Sequence, residues 1–181
     1  MKRAGITIVW ILVLNGLGTT VGLAQSAARA FRKEEITVKA GDFTVAGDLY
    51  LPAEGTRHCV AIWVHGSGPM TRALMTPLLK PQIDVFLKTG FAFFIDDIPG
   101  SGGSQGTLRD VYADRTQILV QEIETLRNLP DINPNGVGVV GMSQAGIVMP
   151  KAVKASGRVA FMVAETGTRT TIRPTLKRPN T

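Results

Sequence analysis

Apolar residues fall in short runs separated by glycine- and proline-rich breaks, and their periodicity changes along the chain. Phe43, Val45, Leu49 and Leu51 alternate with polar or small residues around Gly47 until Pro52, which predicts an antiparallel strand with one wet face. Glu35–Val38 is its predicted hairpin partner. Cys59–Val64 is continuously apolar, the pattern of a strand buried on both faces, and Phe91–Ile95, Val137–Val140 and Val159–Ala164 repeat it. Between these runs the period lengthens. Val111–Asn128 carries Leu119, Ile123 and Leu126 at i, i+4, i+7 and is closed by Pro130 and Pro134, which predicts a helix. Met75–Lys88 also predicts a helix, with Pro77 and Pro81 confining its regular part to the later residues, and Ala145–Ala155 a third that contains Pro150. Two strands followed by strand–helix repeats predict an α/β fold with a mostly parallel sheet and an antiparallel start.

The two ends follow neither period. Lys2 and Arg3 precede an apolar run, Ile6–Leu14, broken only by Thr7, and Gly22 and Ala24 stand at the small-residue positions before Gln25. This predicts a signal peptide over 1–24, with cleavage possible as far as Ala30, and hence an exported protein. An uncleaved leader would instead make Ile6–Ala24 an anchor and the membrane a partner. Residues 168–181 are basic, threonine-rich and interrupted by prolines, and predict a tail apart from the fold. The folded domain is thus expected over 35–167.

Net charge is +6, but residues 35–167 hold eleven Lys/Arg against thirteen Asp/Glu, so the excess lies at the ends. No basic groove remains to follow a phosphate backbone, which argues against a nucleic-acid partner. Cys59 is alone and cannot pair within the chain, and two histidines, His58 and His65, are too few for a multi-histidine metal site. No cofactor is expected. Gly136-x-Gly138-x-x-Gly141 matches a dinucleotide fingerprint in letters, yet its glycines bracket a strand instead of following one. The glycine-rich loop after Asp97 lacks the Gly-Lys-Ser/Thr ending of a phosphate cradle.

Gly141-Met142-Ser143-Gln144-Ala145-Gly146 lies between a buried strand and a helix. So sharp a turn pushes the Ser143 hydroxyl clear of the sheet and sets the Gln144 N–H at a helix start, where it can face an oxyanion. The usual G-x-S-x-G pattern has Ala145 in place of its last glycine, with Gly146 following. His65-Gly66-Ser67-Gly68 ends another buried strand and offers the Ser67 N–H as a second oxyanion donor, His65 serving to brace the loop.

WVHGSGP, GFAFFIDDIPGSGGSQG and INPNGVGVVGMSQAG, in this order, resemble the α/β-hydrolase superfamily, most of all bacterial serine esterases and dienelactone-hydrolase or acyl-peptidase-like hydrolases, over about Ile36 to Gly167. The resemblance implies helices on both faces of the sheet, Ser143 as acyl nucleophile, and a small-molecule ester, thioester or related acyl substrate. It makes the Asp97-x-x-Gly100-x-Gly102 loop structural, with Pro99 standing where the family commonly has arginine. Family order is serine, acid, histidine. Glu165 is the one acid after Ser143, and no histidine follows it. His58 lies roughly 23 Å of extended chain from His65, at about 3.3 Å per residue, and so at the far edge of the sheet. The chain is therefore expected to be the front half of a hydrolase whose C-terminal half is missing, inactive or weak alone. The alternative is a non-catalytic remnant or binding module that keeps the pocket.

Overall fold

The computed structural model describes residues 31–166 and 169–174, with side chains for 31–165. The expected leader and residues 175–181 lie outside the described residues. The chain order is β1 (Phe31–Ala40), β2 (Phe43–Pro52), β3 (His58–Val64), α1 (Arg72–Lys88), β4 (Ala92–Asp96), α2 (Val111–Arg127), β5 (Ile132–Met142), α3 (Ala145–Ser156), β6 (Phe161–Thr166) and β7 (Arg169–Pro174). They form one sheet in the order β1-β2-β4-β3-β5-β6-β7. Strands β4, β3, β5 and β6 are mutually parallel, while β1, β2 and β7 run antiparallel to their neighbours.

The sheet has two apolar faces. On one, Val60, Ile62, Val137 and Val139 pack under Ile118, Leu119, Ile123 and Leu126 of α2 and Val148, Met149 and Ala152 of α3. On the other, Ala61, Trp63, Phe93 and Ile95 pack under Met75, Leu79 and Ile83 of α1. This is the α/β-hydrolase arrangement that the motif order implies, with a mostly parallel sheet, helices on both faces and an antiparallel N-terminal hairpin.

Three expectations change. β2 has no wet face: it lies between β1 and β4, Tyr50 joins the α1-side cluster, and Asp48 is covered by ion pairs with Lys33 and Arg72. The first helix is regular from Arg72, because Thr71 caps it by accepting the Leu74 N–H. Pro77 and Pro81 are exposed in that helix, so the carbonyls they leave without a donor face water. Pro150 is likewise exposed within α3. Finally, Arg169–Pro174 pairs with β6 as β7, from Phe161↔Pro174 to Thr166↔Arg169, where the tail was expected to stand apart. A strand edge supplies the pairing that the local sequence does not signal, and β6 therefore does not end the sheet.

Candidate active site

The sharpest feature of the backbone is Ser143. Its φ of +55° puts a non-glycine residue in the left-handed region, at a cost of about 1–2 kcal/mol. The strain is held from both sides. The Ser143 N–H donates to the Glu165 carbonyl on β6 at 3.1 Å, and the Ser143 carbonyl accepts the Gly146 N–H at 2.9 Å as α3 begins. Gly141 must lack a side chain, since a Cβ there would stand 2.3 Å from the Val64 carbonyl oxygen and 2.7 Å from the Ala145 Cβ. The fully buried Ala145 methyl therefore occupies the space that Gly141 vacates, which accounts for alanine at that motif position.

Ser143 is exposed, and its Oγ bonds to no described residue. The loop after β3 lies directly against it: a Cβ added to Gly66 would be 3.5 Å from the Ser143 Cβ and 4.0 Å from its Oγ. The N–H groups of Ser67 and Gln144 donate to no described residue. An exposed hydroxyl can attack a carbonyl, and uncommitted backbone N–H groups in the adjoining segments can stabilise the charge that develops on the carbonyl oxygen.

Beneath this surface lies a polar cluster. His65 is 1% exposed; its Nε2 donates to the Asp96 carbonyl at 2.8 Å and faces Asp96 Oδ1 at 3.2 Å. Burial alone would lower the His65 pKa, but the hydrogen bond and charge of Asp96 outweigh it and the net shift is upward. Arg115 of α2 is also buried, and its guanidinium donates to the carbonyls of His65 (2.7 Å) and Gly66 (3.0 Å) and to the side-chain oxygen of Gln144. Burial pushes the Arg115 pKa down, opposed by the charges of Asp96 and Glu122. Two turns further along α2, Glu122 is buried and raised well above the ordinary carboxyl range, first by burial, then by the Asp96 charge. His65 Nδ1 and Glu122 Oε1 have no partner among the described residues.

Asp96, Arg115 and Glu122 escape the sequence reading. For the two helical residues the signal is periodicity: Arg115 stands four residues before Leu119 and Glu122 three after it, on the stripe already assigned to the core. Charged residues at those positions read as a helix flank, and only the packing shows them inside.

The remaining candidates lie elsewhere. Asp97 accepts the Arg72 N–H (2.6 Å), the Arg72 Nε–H (3.1 Å) and the Gly103 N–H (2.8 Å), folding the loop with Gly100 and Gly102 around the start of α1. Both glycines have positive φ. Gly68, also at positive φ, follows Ser67 in the loop after β3. Glu165 meets the elbow through its carbonyl, and its carboxylate bonds to no described residue. His58 donates from Nδ1 to the Gly90 carbonyl at 3.0 Å, at the opposite end of β3 from His65. No histidine is hydrogen-bonded to Ser143 among the described residues. Cys59, expected to be buried, is partly exposed. Among the described residues no group of three or more His, Cys, Asp and Glu could hold a metal ion, and no helix is long and apolar enough to cross a membrane.

Strand order, helix placement and a serine elbow define an α/β-hydrolase domain. The model of the X-Pro dipeptidyl-peptidase (S15) family matches residues 22–173, and the chain belongs to that family. Among solved structures it is similar to a hypothetical protein of Pseudomonas aeruginosa, with 24% identity and a TM-score of 0.61, over 74% of this chain and 42% of that one. It is also similar to an α/β hydrolase of a Penicillium species (21%, TM-score 0.62, 74% and 45%) and to an esterase of Pyrococcus furiosus (20%, TM-score 0.58, 72% and 49%). At these identities the likeness is one of fold. The chain spans less than half the length of these three relatives. No curated protein matches it.

Proposed function

We propose that Ser143 is the nucleophile of an acyl hydrolase acting on a small carboxylic ester, thioester or related acyl substrate. The observation that carries this is the strained Ser143 backbone beside two uncommitted N–H groups, Gln144 and Ser67. Ser143 Oγ forms a bond to the acyl carbon as its proton passes to a base. The carbonyl π pair moves onto oxygen, where the two N–H groups hold it. Collapse expels the leaving group and forms the acyl-serine, which water then cleaves. Membership of a hydrolase family supports the reaction class, and the exposed elbow supports the position.

Among the described residues no side chain is hydrogen-bonded to Ser143 Oγ to act as that base. A triad that loses its histidine loses on the order of a millionfold in rate, while the oxyanion hole and binding retain some catalysis. Turnover by the 181 residues alone is accordingly expected to be weak and confined to esters with good leaving groups. A non-catalytic binding module is the second reading, favoured by the absence of any histidine hydrogen-bonded to Ser143 among the described residues. Hydrolysis of p-nitrophenyl acetate, compared with Ser143→Ala, separates the two: activity lost in the variant supports the hydrolase, and equal rates support the binding module. Export belongs to the same proposal. Its check is the N-terminus of the mature protein, expected at Gln25.

A further inference from the structure

Arg115 touches both halves of the proposed oxyanion hole. Its Nη2 donates to the His65 carbonyl at 2.7 Å, and its Nη1 donates to the Gly66 carbonyl at 3.0 Å and to Gln144 Oε1. A peptide group is planar and trans, so its N–H points opposite its carbonyl. Drawing the Gly66 carbonyl toward α2 therefore turns the Ser67 N–H away from the guanidinium. The third bond fixes the residue whose own N–H is the other donor. A cation on the Gly66 carbonyl also polarises that peptide and strengthens its N–H as a donor.

The choice of partners separates this arginine from a structural one. Among the described residues Arg115 forms no ion pair within 4.0 Å, and all three of its bonds go to neutral oxygens around Ser143. A buried cation is costly unless fully hydrogen-bonded, and hydrophobic packing would fill the α2 face more simply if stability alone were served.

We propose that Arg115 is a positioning residue that sets the separation and direction of the Ser67 and Gln144 N–H groups, an inference resting on their assignment as the oxyanion hole. Arg115→Lys in the full chain tests it, because lysine keeps the charge but cannot fork across two carbonyls and an amide. Arg115→Met combined with Glu122→Gln provides a neutral second variant. The probe is phenylboronic acid, which forms a tetrahedral adduct on a serine oxygen. Wild-type binding is expected to vanish in Ser143→Ala and to weaken on the order of 100-fold in folded Arg115→Lys, as misplacing a preorganised donor does. The amide cross-peaks of Ser67 and Gln144 are expected to move in the NMR spectrum of the free variant, while those of β1 and β2 stay.

Unchanged boronate affinity together with unmoved Ser67 and Gln144 cross-peaks would overturn the inference. So would unfolding of both variants, which would assign Arg115 to stability alone. If the wild type shows no Ser143-dependent boronate binding, the oxyanion reading falls instead. The cross-peaks of the free protein then decide whether Arg115 orients the two peptides.

Discussion

Arg72 opens α1 and Arg115 lies early in α2, both near the carboxyl edge of the sheet, yet their donors go to different kinds of acceptor. Arg72 bonds to Asp48 at 2.6 Å and Asp97 at 3.1 Å, and approaches Glu35 at 3.6 Å. Arg115 bonds to two carbonyls and an amide oxygen. The first arrangement neutralises charge and welds the Asp97 loop to the hairpin. The second leaves a cation directed at backbone whose opposite side borders Ser143. Ion pairs secure architecture at one corner, and bonds to neutral oxygens orient peptide dipoles at the other.

The largest expected effect at the Ser143 corner comes from Gly141→Ala. Its methyl would meet the Val64 carbonyl oxygen at 2.3 Å, and backbone cannot yield as a side-chain tip can. A loss of about 3 kcal/mol is expected, read as a lowered denaturant midpoint. A near-neutral result would mean that β3 and α3 can separate at the elbow.

Arg72→Met comes next. Asp97 keeps its two backbone donors but loses its cation, and the loss expected is about 2–3 kcal/mol. Boronate affinity at Ser143 should stay within about twofold, since Arg72 touches nothing there. A large fall in that affinity would erase the distinction between the corners.

Ser143→Gly is expected to stabilise the chain by about 1 kcal/mol, because glycine takes φ of +55° without strain. It should abolish acyl transfer at the same time, the stability–activity exchange expected of a strained nucleophile.

Glu122→Gln has the smallest effect and a pH signature. The folded pKa of Glu122 is raised, so the native state binds more protons than the unfolded one above the ordinary value of 4.5, and stability falls as pH rises from there. His65 is raised as well; its contribution is complete below its ordinary 6.5 and fades as pH rises through its folded pKa. Thermal midpoints from pH 5 to 8 should therefore decline in the wild type and decline less steeply in Glu122→Gln. Parallel curves would remove Glu122 from the cluster.

Much of this molecule is legible in its sequence where one residue type has one physical use. Continuous apolar runs such as Cys59–Val64 and Val137–Val140 mark strands covered on both faces, and Gly141 through Gly146 marks a turn too tight for ordinary residues. What escaped reading depends on partners distant in the chain. Asp48 is buried only because Lys33 and Arg72 reach it, and Arg115 only because the His65–Gly66 carbonyls lie above α2. β7 is a strand because β6 offers an edge. The helices tolerate Pro77, Pro81 and Pro150 because each faces solvent, and solvent exposure at one turn is a tertiary property.

The central claim is that the Ser143 oxygen is an acyl nucleophile, and its most direct test is site-resolved labelling by a fluorophosphonate. The full chain, incubated for hours and digested, is expected to carry the phosphonyl group on Ser143 alone. Labelling should be slow for want of a base and absent in Ser143→Ala. No adduct on the folded wild type, or an adduct that persists in Ser143→Ala, would contradict the account.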